Sequence, residues 1–324
     1  MSKLFHKNHG NLNIAMWNIN GFTPNKSLDD DFLKTISNVH LLSLVETWSG
    51  GDNPDISIPG FSLISNSSRK KHKKARRFSG GISIYVKNGL SKGISKLPYS
   101  NSDIVWIRLD KNFFNLKKTT FLGVIYFSPE NSSGTCQDLN DLYSKLLSDV
   151  AQYSSQDVII QGDFNAYTNT NPDFVTSDDS PFPVSDNQHY VFDSPSPRNN
   201  LDKKQPNNSG KLLLNLCKET GLKILNGRTI GDLQGKYTCM TYNRCSLVDY
   251  TLVSPNLLQG IGSFSVSNMT PISDHCLIIC CLLTCFHNRK TKDTLDTLPG
   301  KFIWNTESIE KYKSIKLTKC TDTT

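Results

Sequence analysis

The chain has 324 residues, 37% of them hydrophobic and 10% aromatic, with a net charge of +7. That is enough apolar material for a packed core in one large domain or two small ones, and it excludes an extended disordered polymer. The opening from Met1 to Gly10 is polar and basic, unlike a signal peptide, and the longest apolar run, Cys276 to Phe286, is too short to cross a bilayer; the expectation is a soluble intracellular protein without membrane contact.

Short apolar runs, often β-branched, predict strands at Leu12 to Trp17, Leu41 to Val45, Gly81 to Val86, Ile104 to Leu109, Thr120 to Tyr126, Val158 to Gln161, Leu247 to Val253 and Cys276 to Leu283. Helical spacing is clearest at Leu139, Leu142, Tyr143, Leu146, Leu147 and Val150, and a second helix is predicted over Lys211 to Thr220, where Gly221 can end it in a left-handed cap. Asn169 to Gly210 differs in texture: rich in Asp, Asn, Ser and Pro, with six Asp against three basic residues, it reads as a long surface loop. The predicted organisation is a flexible N-terminus over 1–10, one domain over 11–285 and a tail over 286–324. That tail opens on the basic linker HNRKTK and continues into a short amphipathic helix around Ile309, Tyr312 and Ile315.

The positive charge has one address. RKKHKKARR, from Arg69 to Arg77, holds seven Lys and Arg, and without them the chain balances 29 basic against 29 acidic residues. Such a run is a solvated turn, a nuclear-localisation signal or a phosphate-binding rim, since clustered Lys and Arg gain affinity for polyanions by counterion release. The nine cysteines are odd in number and lack paired spacing, and four of them, Cys276, Cys280, Cys281 and Cys285, crowd one apolar segment. They read as reduced thiols rather than a disulfide framework or a zinc site.

Polar groups recur where strands stop. VIIQGDFNA, Val158 to Ala166, ends an apolar run in Gly162, Asp163 and Asn165; in a strand, residues two apart share a face, so Asp163 and Asn165 would converge just past its end. WNING places Asn18 and Asn20 likewise, LVETW puts Glu46 at a strand tip, and VIYFSP does the same for Tyr126. SLVDY sets Asp249 inside an apolar strand, and SDHCLI puts Asp274 and His275 just ahead of another. A buried carboxylate costs several kcal/mol unless paired, so Asp249 needs a partner, with His275 the candidate.

WNING, LVETW, VIYFSP, GDFNA, VDY and SDHC, in this order and at these separations, resemble the endonuclease/exonuclease/phosphatase superfamily, and within it the endonuclease domains of LINE-type (non-LTR) retrotransposons. The resemblance covers about Asn11 to Cys285, and the segment GKYTCMTYNRCSLVDYTLVS carries it most specifically. It implies an α/β fold, a four-layer sandwich of two packed, mostly antiparallel sheets flanked by helices, with a phosphodiester-hydrolysing site at one edge. The expected cofactor is Mg²⁺, with Mn²⁺ as a substitute and no organic cofactor, and the expected partner is DNA. The resemblance implies Glu46 as principal metal ligand, with Asn18, Asn20 and Asp274 nearby, although Asn20 stands where some relatives carry Asp. Asp163 would orient or deprotonate water, Asn165 and Tyr126 would hydrogen-bond the phosphate, and His275 would complete the site, held by Asp249 as base or as cation. Arg69, Lys70, Lys71, Lys73, Lys74, Arg76 and Arg77 are the expected DNA-backbone contacts. A phosphatase of the same fold acting on a small phosphorylated molecule, or an inactive nucleic-acid-binding module, are the alternatives.

Overall fold

The computed structural model describes residues 10–50, 55–71, 75–98, 100–130, 138–175 and 196–284. Lys73, Lys74, the middle of the Asp-rich loop, Cys285 and the tail around Ile309, Tyr312 and Ile315 lie outside the described residues. With strands numbered in chain order, the first sheet is built from β1 (Leu12–Asn18), β2 (Leu41–Val45), β3 (Phe61–Ser67), β4 (Ile82–Lys87), β13 (Ile261–Val266) and β14 (Ile278–Leu282). Its spatial order is β13-β14-β1-β2-β4-β3. The second sheet contains β5 (Ile94–Lys96), β6 (Ile104–Leu109), β7 (Thr120–Tyr126), β8 (Asp157–Asp163), β9 (Lys223–Ile224) and β12 (Asp249–Val253), in the order β5-β6-β7-β8-β12-β9. A small hairpin joins β10 (Cys239–Thr241) to β11 (Arg244–Ser246).

Each sheet has a parallel pair at its centre, β1 with β2 and β7 with β8, and antiparallel neighbours outside it. Alternation along the strands makes the layers. β1 sends Leu12, Ile14 and Met16 into the apolar core between the sheets, which Val124, Ile159 and Val253 enter from the second sheet. Ala15 and Trp17 face outward, where Phe32 and Ile36 cover them from α2 (Asp30–Thr35), which follows the short α1 (Pro24–Ser27). The single-turn α3 (Lys111–Phe114) sits after β6. On the far face of the second sheet α4 (Leu139–Gln152) and α5 (Asn208–Thr220) bury Leu142, Leu146, Leu213 and Cys217 against Trp106, Ile160 and Leu252. The result is a four-layer α/β sandwich. Among the described residues no helix is long and apolar enough to cross a membrane.

α5 begins three residues before the expected Lys211, because Asn207 caps it by accepting from Gly210 N at 2.9 Å, and it ends at Gly221 in the left-handed conformation, φ 74°. The described ends of the Asp-rich loop do not behave as a surface loop. Asp173, Arg198, Asn200 and Asp202 are buried. Asp173 accepts from Ile224 N and Arg228 Nη2, and Asp202 from Leu247 N, so this polar segment supplies the hydrogen bonds that the edge strand β9 and the start of β12 lack from a neighbour.

Candidate active site

Following the inward alternation to the last residue of each central strand leads out of the apolar core and into a polar cluster. Asn18 ends β1, Tyr126 ends β7, Asp163 ends β8 and Asp249 begins the antiparallel β12. Tyr126 pairs with Asp163 across the parallel ladder and Asp163 with Asp249 across the antiparallel one, so the three form one row. Gly162 permits that row: a Cβ there would stand 2.4 Å from the Ile125 carbonyl oxygen. The first sheet faces the row with Asn18 and with Glu46, one residue beyond β2, whose backbone turns left-handed at φ 54°.

Two hydrogen bonds bridge the sheets here. Asn18 Nδ2 donates to Asp163 Oδ2 at 2.9 Å, and the Tyr126 hydroxyl donates to Glu46 Oε1. His275 arrives from the turn before β14. Its Nδ1 lies 2.8 Å from Asp249 Oδ2, and its carbonyl accepts from Trp17 Nε1 at 2.8 Å, which ties the turn to β1. Asp249 thus has the partner its burial demands, although its Oδ1 is buried without a hydrogen bond. At the rim, Asn20 Nδ2 donates to Asp274 Oδ1 at 3.2 Å, and Lys26 Nζ donates to the Ile19 carbonyl at 2.7 Å.

Asn165 departs from the expected geometry. Strand alternation stops at Asp163, because Asn165 adopts φ 47°, its N–H donates to Asp163 Oδ1 at 3.0 Å and its Nδ2 donates to the Phe127 carbonyl at 2.8 Å. It closes a turn around the Asp163 carboxylate, in the way short amide side chains tolerate left-handed backbone. Tyr126 likewise spends its proton on Glu46.

The electrostatics separate the carboxylates. Burial, then the neighbouring Asp249 and Glu46, push the Asp163 carboxyl up to about 8, against the pull of His275 and the Asn165 N–H. For His275, burial works against the charged ring, but the Asp249 carboxylate outweighs it and holds the imidazole well above its usual value. Burial, then Glu46, raises the Tyr126 phenol far out of the titrating range.

The donors at the rim, Glu46, Asn18, Asn20 and Asp274, offer only oxygen and amide groups, the set a hard cation such as Mg²⁺ takes. Among the described residues Glu46 and Asp274 each use one carboxylate oxygen in a protein hydrogen bond and keep the other. The residues therefore fit a divalent ion. Two tighter groups have ligand atoms within 4.8 Å of one another: Asp163, Asp249 and His275 in one, and Cys239, Asp274 and His275 in the other.

The basic run divides. Arg69 is buried, bridges Asp103, donates Nη1 to Ser128 Oγ at 2.6 Å and lies 4.9 Å from the centre of the Tyr126 ring. It braces the site from below. Lys70, Lys71, Arg76 and Arg77 are exposed, and Arg77 stacks 3.5 Å over the Trp48 ring, two residues from Glu46. Trp48 itself packs on Gly21, where a Cβ would meet its ring at 2.3 Å.

Searches with the sequence find no matching family model and no matching curated protein. Solved structures do match. The endonuclease domain of TRAS1, a telomere-specific non-LTR retrotransposon, superposes with a TM-score of 0.54 at 14% identity, covering 84% of this chain and 98% of that domain. The AP endonuclease LMAP from Leishmania major superposes with a TM-score of 0.59 at 14% identity, over 86% of this chain and 89% of that one. The chain shares the two-sheet α/β sandwich fold of these two proteins. Its structural neighbours are nucleases. Within this fold, the structure adds residues that the motifs did not single out. Asp103 is needed by Arg69, Trp48 carries Arg77, and Cys239 lies against His275.

Proposed function

We propose that the protein is a metal-dependent DNA endonuclease that hydrolyses phosphodiester bonds, serving as the target-nicking enzyme of a non-LTR retrotransposon or of a descendant of one. The observation that carries this reading is the Tyr126–Asp163–Asp249 row facing Asn18 and Glu46, with His275 paired to Asp249. Phosphodiester hydrolysis needs an activated water, a cation against the growing charge and help for the leaving oxygen.

Asp163 is the base. A carboxyl held near neutrality accepts a proton efficiently at working pH. Asn18 and the Asn165 N–H fix its two oxygens in place. His275 stays cationic through Asp249 and offsets negative charge on a phosphate oxygen. Tyr126 orients Glu46, which with Asn18, Asn20 and Asp274 would hold Mg²⁺ or Mn²⁺; bound there, the ion supplies Lewis-acid stabilisation of the phosphate. The second N–H of the Asn165 amide is left for a phosphate oxygen, and Lys70, Lys71, Arg76 and Arg77 would meet the DNA backbone.

Nicking of supercoiled plasmid by the purified protein, with Mg²⁺ and with excess EDTA, tests the reading. Nicking that EDTA stops is the expected result. Full activity in EDTA overturns the metal, and hydrolysis of small phosphate esters without any plasmid nicking overturns the substrate.

A further inference from the structure

Cys239 has no part in the reaction above, yet it sits against the group that does. The backbone around it runs antiparallel to the turn that carries His275: Cys276 N donates to the Thr238 carbonyl at 2.7 Å, Met240 N donates to the Asp274 carbonyl at 2.8 Å, and Cys239 and His275 form the bridge pair between them. Directly opposed residues put their Cβ atoms about 4.5–5.5 Å apart on one face. The Cys239 sulfur accordingly lies within 4.8 Å of a ring nitrogen of His275, whose Nδ1 is already taken by Asp249. Asp274, half-buried at the rim, brings a carboxylate oxygen, so one sulfur, one imidazole nitrogen and one oxygen lie within 4.8 Å of one another.

We propose that Cys239, His275 and Asp274 form a binding site for a soft divalent cation, Zn²⁺, whose occupation switches the nuclease off; the switching, though not the binding, rests on the function proposed above. Zinc takes Cys, His and Asp at about 2.0–2.3 Å in tetrahedral geometry, and three such ligands leave the fourth position to water or to a phosphate oxygen. Thiolate and imidazole favour Zn²⁺ over Mg²⁺, whereas the all-oxygen set at Glu46 favours the reverse. The two ions would therefore prefer different ligand sets and share only Asp274. His275 is also prepared as a ligand: the Asp249 carboxylate on Nδ1 fixes the ring and raises the basicity of the other nitrogen, the arrangement found behind zinc-bound imidazoles. Binding displaces the thiol proton and the second imidazole proton to solvent and consumes no oxidant. It inhibits because the cationic imidazole is withdrawn from the phosphate and the Asp274 carboxylate from the Mg²⁺ site.

The test compares wild type with Cys239→Ser, which keeps a hydrogen-bonding group opposite His275 and leaves the remaining cysteines in place. In metal-free protein, Co²⁺ is added as a spectroscopic probe and Zn²⁺ binding is measured by calorimetry. The expected result is a thiolate-to-cobalt charge-transfer band and one zinc per chain in wild type, with the band lost and zinc affinity at least about tenfold weaker in Cys239→Ser. In Mg²⁺-supported nicking, zinc should inhibit wild type, and Cys239→Ser should match wild type without zinc but need at least about tenfold more zinc for inhibition. Equal cobalt spectra and zinc affinities in the two proteins overturn the site. Nicking sustained by zinc alone overturns the inhibitory role. If the protein nicks nothing, the spectra and the calorimetry still decide the site, so failure of the nuclease reading is separately visible.

Discussion

Asp163 and Asp249 stand directly opposite each other across the β8–β12 ladder, two carboxylates in one buried row with a single imidazole, His275, on the Asp249 side. Asp163 lacks the imidazole that Asp249 has, and burial with the neighbouring carboxylates raises its carboxyl. Its raised carboxyl, at about 8, means the folded protein holds this proton more tightly than the unfolded chain, whose Asp titrates near 3.8. The stabilisation is fully present below about pH 4 and is lost as pH rises toward 8, and His275, also raised, loses its contribution above its ordinary value of 6.5. In EDTA the melting temperature should fall across pH 4 to 8, and Asp163→Asn should flatten the part of that fall below pH 6. A wild-type curve parallel to that of Asp163→Asn would refute the assignment.

Glu46 and Tyr126 should act as one unit. Removing the hydroxyl in Tyr126→Phe frees Glu46 to rotate, and loss of such an orienting partner costs about 10–100-fold in metal affinity. Mg²⁺ titrations of nicking should therefore shift to higher concentration for Tyr126→Phe while the rate at saturating Mg²⁺ stays within a few-fold. Glu46→Gln should raise the Mg²⁺ requirement further.

His275→Ala and Asp249→Asn should each slow nicking by about 10²–10⁴-fold at saturating DNA. Because Asp249 works through His275, the double variant should be little worse than the poorer single one. Multiplying effects, measured in single-turnover nicking of proteins with native circular dichroism, would separate the two residues.

The two kinds of residue in the basic run call for different readouts. Arg69→Ala removes one partner of a buried pair and should cost about 3–5 kcal/mol in denaturant unfolding. Replacing exposed Lys70, Lys71, Arg76 and Arg77 by Gln should leave stability unchanged and flatten the salt dependence of DNA binding, by up to about 0.9 in slope for each lost phosphate contact. Unchanged slopes would take these residues out of the DNA interface.

The strands that bury both faces were legible. β2, β6 and β7 begin and end where the apolar runs do, and the polar residues at the tips of β2 and β7 are conspicuous because burial forbids them without a reason. The edges were not. β3 and β13 pair with one neighbour each, leave half-exposed faces and read as FSLISNS and IGSFSV, which resemble loops. The strand at GDFNA was read too short by two residues at its tip, and Asn165 was given strand geometry that its left-handed turn denies, since Asn suits both. Which member of a like-charged run turns inward depends on a carboxylate elsewhere, here Asp103, 34 residues beyond Arg69. The Asp-rich loop misled in the same way, because Asp173 finds Arg228 only after the chain has returned, 55 residues later.

β14, the last strand of the described fold, lies between β1 and β13, and the turn before it delivers His275 to a site begun by Asn18. During synthesis, everything from Asn18 to Asp249 leaves the ribosome before the imidazole does. A nascent or prematurely terminated chain then has a sheet with an open slot beside β1, an uncompensated Asp249 and no imidazole beside it. The order of the elements makes His275 the last of the candidate site's side chains to emerge.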